Sequence, residues 1–271
     1  MSIKSNVLVV GGLGHFGVKV TSHLQADTNN HVLILEKKEK IRAAYISGEI
    51  GEIGIPLSNI VAFEEGIFSQ FDGEIFSTVR TPMISSVVFA IRHRAPATTG
   101  LQTASVLEDG LLRDSLEKVV LFPLELLRCL EYDRPGKTNR RVILVYSSNA
   151  NYVSHQTLAY HVTNSAVANL FKFLAVNLYG LGVKVFMIEV GVLDANVDQQ
   201  GKIGDLQKFA PSKFKELVEL LDFLLRVDGF GLVGKSIQLT GVRNLLDSTA
   251  VSEGVFGDLR VRSNIQPDSN F

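Results

Sequence analysis

The 271-residue chain contains no tryptophan, one cysteine and three methionines. A lone cysteine excludes an internal disulfide and any cysteine-rich metal cluster, and it fits a reducing compartment. No run of lysine and arginine alternates with aromatic residues, and 27 basic against 28 acidic side chains leave a net charge of −1. Nucleic acid is therefore not an expected partner. No apolar stretch reaches the roughly 18 to 20 residues that a spanning helix needs, so no membrane association is expected. A strand pattern begins at Asn6, which leaves no room after Met1 for a secretory leader. The reading is of a soluble, cytoplasmic protein. The six histidines form no His-x-x-x-His pair, and neither Ser147 nor Ser148 lies in a Gly-x-Ser-x-Gly turn. No metal site and no serine-hydrolase elbow are expected.

What the chain does hold is a succession of apolar runs and helical patterns. With 46% hydrophobic and 20% charged residues it can bury a large interior. Asn6-Val7-Leu8-Val9-Val10 is a short apolar run closed by glycines, and from Phe16 the spacing turns helical through Val18, Val20 and Leu24. His31 to Leu35 gives a second run ending at Glu36, and a charged segment from Lys37 to Arg42 opens the next helix. Further strands are predicted at Ile60–Phe63, Glu74–Ser77, Val142–Val145, Val183–Ile188 and Ser236–Leu239. Long helices are predicted at Asp114–Leu130, Ala159–Leu178 and Pro211–Arg226, while Thr81 to Asp109 shows only a weak pattern. Strands alternating with helices predict an α/β fold, a doubly wound and mostly parallel sheet with helices on both faces. No linker divides the chain, so residues 1–256 are read as one domain and 257–271 as a loose polar tail.

The segment Gly11-Gly12-Leu13-Gly14-His15-Phe16-Gly17 holds two overlapping glycine patterns, GxGxxG on Gly12, Gly14 and Gly17, and GxxGxxG on Gly11, Gly14 and Gly17. Both serve one chemistry. A pyrophosphate approaches backbone N–H groups at a helix N-terminus, and a side chain there would block it. The string follows a predicted strand, opens a predicted helix, and has Glu36 nineteen positions after Gly17 at the end of the second strand. That context makes it a Rossmann-type dinucleotide turn. Glu36 would accept hydrogen bonds from the adenosine ribose and repel a 2′-phosphate, which favours NAD; Lys37 and Lys38 leave NADP open.

Later features carry a resemblance. Val142-Ile143-Leu144-Val145-Tyr146-Ser147-Ser148-Asn149-Ala150 is followed by Tyr160 on a long helix, then by a strand running into Glu189-Val190-Gly191. In this order and spacing, together with the glycine turn and Gly229 to Leu239, the chain resembles the short-chain dehydrogenase/reductase family over nearly its whole length. The resemblance implies that Tyr160 is the general acid/base and that a serine of the Ser147-Ser148 pair polarises the reacting oxygen. Ser147 has the family's spacing of thirteen residues before Tyr160, whereas Ser148 is the last serine before the loop. Both serines also suit a plain turn at a strand end.

Departures from the family are equally informative. Its lysine, four residues after the tyrosine, is replaced by Asn164, a neutral amide that can hold a ribose but supplies no charge. Its helical asparagine has no counterpart, the best-matching stretch being Glu117-Lys118-Val119-Val120. The Asn-rich turn after the fourth strand is matched to Ser77-Thr78-Val79-Arg80, and Pro-Gly to Val190-Gly191. The resemblance thus implies an NAD(H)-dependent oxidoreductase, or a related biosynthetic enzyme, acting on a carbonyl or hydroxyl of a small organic molecule. The alternatives are a dehydratase or isomerase that moves no hydride, and a catalytically silent dinucleotide-binding sensor or scaffold. The segment from Ala195 to Phe209 would cover substrate. Leu170, Phe171, Phe173, Leu174 and Leu178 give the helix after Tyr160 more apolar surface than one stripe requires, from which a homodimer or homotetramer is expected.

Overall fold

The computed structural model describes residues 5–48, 50–51, 54–63, 84–90, 116–134, 139–147, 158–190, 214–227 and 230–239. Contacts divide the chain into two compact units, Met1–Glu189 with Val218–Gln238, and Val190–Leu217 with Leu239–Phe271. Most of the second unit, including the predicted segment from Ala195 to Phe209 and the tail 257–271, lies outside the described residues.

Seven strands form one sheet: β1 (Ser5–Val10), β2 (Asn30–Lys37), β3 (Ile60–Phe63), β4 (Ser86–Phe89), β5 (Arg140–Ser147), β6 (Val183–Val190) and β7 (Ser236–Leu239). Their order is β3-β2-β1-β4-β5-β6-β7, and the pairs β1–β2, β1–β4, β2–β3 and β4–β5 are parallel. Between β1 and β4 the winding reverses, which makes the C-terminal ends of these two strands the switch point where open α/β sheets take ligands. Five α-helices accompany the strands among the described residues: α1 (His15–Ala26), α2 (Lys38–Ser47), α3 (Phe122–Cys129), α4 (Leu158–Tyr179) and α5 (Phe214–Arg226). Among the described residues, no helix is long and apolar enough to cross a membrane.

Alternation along the strands decides which helix covers which face. Leu8, Val10, Leu33, Leu35, Val87, Phe89, Val142 and Leu144 share one buried cluster with Leu126 of α3 and with Val167, Phe171 and Leu174 of α4. Phe89 meets Phe171 edge to face at 5.3 Å between centroids. The intervening Val7, Val9, Val32, Ile34, Val88 and Ile143 are equally buried and point the other way, toward α1 and α5. Those two helices are tied together by His23 Nε2 against Asp222 at 2.7 Å and by Arg226 against Asp27 at 2.6 Å. Burial on both faces is why these strands read as continuous apolar runs.

Two local features were not legible in advance. The fourth strand is Ser86–Phe89, inside the stretch whose pattern is weak; the predicted strand Glu74–Ser77 lies outside the described residues. Ser77-Thr78-Val79-Arg80 precedes β4 and cannot be the turn after it, which corrects that match. The second feature is a π-helical turn, Glu117–Leu121, running straight into α3. Pro123 explains it. Proline has no N–H to donate and its ring crowds the carbonyl four residues back, so the ladder opens there and Phe122 N–H reaches Glu117 O instead.

The N-terminal end of the sheet is braced for stability. Tyr132 is fully buried, its hydroxyl donates to Ile84 O at 3.4 Å, and the buried Arg140 guanidinium lies 4.6 Å from its ring centroid. Arg140 also donates to Glu131 O at 2.6 Å. Burial pushes the Tyr132 hydroxyl pKa well above the ordinary phenol value, so it stays neutral.

Candidate functional site

At the C-terminal end of β1 the chain must turn sharply into α1, and glycine supplies the turn. Gly11 takes a φ of 79°, a left-handed conformation that L side chains resist. Gly11 O accepts from Gly14 N–H at 3.1 Å, and Gly14 O from Val18 N–H at 2.7 Å, so the turn runs directly into the helix. A Cβ on Gly17 would overlap the Gly11 carbonyl oxygen and stand 2.9 Å from the Gly11 carbonyl carbon. Gly17 is what lets α1 lie against the strand. A Cβ on Gly12 would come within 2.9 Å of both Ile34 Cγ2 and Thr21 Oγ1, and Thr21 donates to Gly12 O at 3.2 Å. Gly12 therefore packs inward, and the turn is built on Gly11, Gly14 and Gly17, which resolves the two overlapping patterns.

Gly14 caps α1 without a side-chain hydrogen bond, and no acidic residue stands in the first turn. That leaves the positive end of the helix dipole suited to an anion. His15 and Phe16 are the first two helical residues. Leu13 is buried, and its N–H donates to Glu36 Oε2 at 3.1 Å. Glu36, 3% exposed, accepts at its other oxygen from Lys37 N–H at 3.1 Å. Its carboxylate thus clamps the glycine turn to the end of β2. Lys37 ends β2 and begins α2. Sequence reasoning missed Lys40, whose Nζ lies 3.8 Å from Glu36 Oε2 and 3.1 Å from the point where a Gly14 Cβ would be. An ammonium one helical turn after an acidic strand end was the available signal.

The second cluster of sequence-derived residues sits around β5 and α4. Ser147 is the last residue of β5, and Ser148 lies outside the described residues. Tyr160 and Asn164 share α4 one turn apart, and Asn164 is buried. α4 is joined to β6 by the short turn 180–182, so it runs back along the sheet and brings its N-terminal turns to the C-terminal strand ends. The segment matched to the missing asparagine, Glu117–Leu121, is the π-helical turn packed against α4.

Comparison with solved structures places this architecture. A short chain dehydrogenase family protein from Francisella tularensis subsp. tularensis superposes over 91% of this chain and 99% of its own, with a TM-score of 0.66 at 16% identity. The chain has the short-chain dehydrogenase/reductase fold. The same fold relates it to an NAD+-bound xylitol dehydrogenase, with 89% of this chain and 100% of that one covered, TM-score 0.63 and 16% identity. A short chain dehydrogenase from Burkholderia cenocepacia in complex with NADP matches over 90% of this chain and 100% of its own, with TM-score 0.62 and 19% identity. No protein-family model and no curated protein matches the sequence.

Proposed function

We propose that this chain is a divergent short-chain dehydrogenase/reductase that binds NAD(H) and acts as an oxidoreductase on a carbonyl or hydroxyl of a small organic molecule. The observation that carries the reading is the glycine turn. Gly11 makes the bend, Gly17 admits the helix, and Gly14 leaves backbone open at an uncapped helix N-terminus free of acidic residues. Those are the features a pyrophosphate needs. Two structures of the same fold were solved with NAD+ and with NADP.

Gly14, His15, Phe16 and Gly17 would hold the pyrophosphate, with Glu36 beside the adenosine ribose. Glu36 disfavours a 2′-phosphate, but Lys40, already paired with it, and Lys37 offset that charge, so NAD is preferred and NADP tolerated. The nicotinamide, when bound, supplies hydride transfer. The protein's share is proton handling: Tyr160 donates or accepts the proton, a serine of the Ser147-Ser148 pair fixes the reacting oxygen, and Asn164 holds a ribose hydroxyl or a water by hydrogen bonds. α4 also shows an apolar exposed stripe, with Val176 78% and Phe173 63% exposed beside Tyr179, which supports self-association as a homodimer or homotetramer.

Asn164 favours a second reading. With Asn164 in place of a lysine one turn after Tyr160, that position supplies none of the charge that would lower a tyrosine pKa by about one to three units. A non-redox dehydratase or isomerase in which neutral Tyr160 serves as the acid, or a silent dinucleotide sensor or scaffold, would need no such assistance. Fluorescence titration with NADH and NADPH tests the main reading: saturable binding of NADH, tighter than NADPH, is expected. Failure of both to bind at millimolar concentration would overturn it. Binding without any nicotinamide absorbance change across a panel of alcohols and aldehydes would favour the second.

A further inference from the structure

A buried glutamate ringed by neutral donors lies apart from the glycine turn, at the other half of the sheet. Glu189 is the penultimate residue of β6 and only 1% exposed. Three neutral donors converge on its Oε2: Tyr146 Oη at 3.2 Å, Ser236 Oγ at 3.3 Å and Gln238 Nε2 at 3.3 Å. Tyr146 and Ser236 hydroxyls also lie 2.6 Å from each other. With Glu189 ionised, the two hydroxyl protons cannot make all three bonds among Tyr146, Ser236 and Glu189 at once, so one of these contacts goes unmade. Glu189 Oε1 has no hydrogen-bond partner, and among the described residues no cation pairs with the carboxylate.

A second bare polar atom belongs to the same layer. Thr163 of α4 is fully buried, and its Oγ1 has no partner. Thr163 continues, one turn earlier, the helix face of Val167 and Phe171, which pack in the cluster that also holds Val183, Val185 and Met187. Glu189 continues the Val183, Val185, Met187 face of β6 by one more alternation. Because α4 runs antiparallel to β6, the N-terminal end of the helix and the C-terminal end of the strand coincide. Topology therefore puts both bare atoms at one end of one layer, the end where open α/β sheets receive ligands.

A buried carboxylate is tolerated when its charge is paired. Neutral donors reach one oxygen of Glu189 and bring no positive charge to the ionised carboxylate. We infer that Glu189, with Tyr146, Ser236 and Thr163, forms a subsite for a primary ammonium group of a ligand. The ammonium donates to Glu189 Oε1 and to Thr163 Oγ1 and supplies the missing positive charge. Hydroxyl-only ligands satisfy the hydrogen bond without the charge and bind more weakly; carboxylates are repelled. The subsite does not depend on nucleotide binding.

The test is thermal unfolding of the full chain with methylammonium chloride, ethanolamine hydrochloride, choline chloride or ethylene glycol at matched ionic strength. Methylammonium and ethanolamine should raise the midpoint saturably by roughly 2 to 6 °C, with choline and ethylene glycol well below them. Glu189→Gln should abolish the shift while leaving NADH titration unchanged, which separates this inference from the nucleotide reading. Thr163→Val provides the second variant should Glu189→Gln fail to fold, and it should weaken the amine midpoint several-fold. Equal shifts from amines and choline, a shift from ethylene glycol alone, no shift from any probe, or an undiminished amine shift in a folded Glu189→Gln or Thr163→Val protein would each overturn the assignment.

Discussion

Gly17 and Gly14 stand three residues apart in one turn, yet the geometry assigns them separable duties. A methyl on Gly17 overlaps the Gly11 carbonyl oxygen and sits 2.9 Å from both the Gly11 carbonyl carbon and Gly12 Cα, against about 3.5 to 4.0 Å for relaxed carbon contacts. All three atoms are backbone, so α1 itself must shift. Overpacking of this kind costs about 1 to 3 kcal/mol, or roughly 2 to 6 °C of melting temperature at this chain length. A methyl on Gly14 meets only Lys40 Nζ at 3.1 Å and Gly11 O at 3.3 Å. Lys40 is the mobile end of a half-exposed side chain and can swing away, so Gly14→Ala should melt within about 2 °C of wild type. It should nonetheless weaken NADH binding at least about tenfold, because the methyl stands where a pyrophosphate must approach. Circular dichroism melting and NADH fluorescence titration on both variants read the two effects independently. Wild-type melting and NADH affinity in Gly17→Ala would refute the packing argument, and unchanged affinity in Gly14→Ala would refute the phosphate cradle.

Asn164→Lys puts an ammonium in place of a buried amide, so it should lower the melting temperature of the free protein and enlarge the stabilisation by NADH; equal NADH shifts in the two proteins would count against a ribose-facing Asn164. Arg140→Ala removes the cation over Tyr132 and the donor to Glu131 O, and chemical denaturation should show a loss of about 2 to 3 kcal/mol without loss of NADH affinity. Burial raises the Glu125 pKa above 4.5, and the nearby Arg128 only partly opposes it. Its contribution to stability is fully present below the unfolded value and is lost as pH rises through the higher folded value. Glu125→Gln should therefore match wild type in acid and be the more stable protein at neutral pH, a difference that melting curves across pH 3.5 to about 7 would reveal. Phe173→Glu with Val176→Glu breaks the exposed stripe on α4 and should convert any dimer to monomer in sedimentation at micromolar concentration.

The β1–α1–β2 unit was readable because its signals are local: two apolar runs, a glycine turn and a helical period within about forty residues. The helix Ala159–Leu178 differs from α4 by one residue at each end for the same reason. β4 was not readable. It is four residues long, and its first, Ser86, is fully buried though polar, so the apolar run is short and has a blurred edge. Glu36 was legible as a strand-end acid, but its clamp on Leu13 joins positions 23 residues apart, which no local pattern contains. Glu189 was hidden differently. It follows Val183–Ile188 in a strand buried throughout, and only its acidity within such a run marked it out, since the donors to it come from β5 and β7.

The reversal of winding between β1 and β4 also sets a schedule. β1 lies mid-sheet with β2 on one side, yet its other edge pairs with a strand far along the chain; the Ser5–Ser85 hydroxyl contact spans 80 residues. On a ribosome adding about 5 to 20 residues per second, that edge stays open for roughly 4 to 16 seconds after β1 emerges. Four fully buried residues, Val7, Leu8, Val9 and Val10, line it. An interior strand of the finished sheet is thus an exposed, apolar strand edge during synthesis, and slowing translation before Ser86 should raise aggregation or chaperone capture of the nascent chain more than slowing it after Ser147.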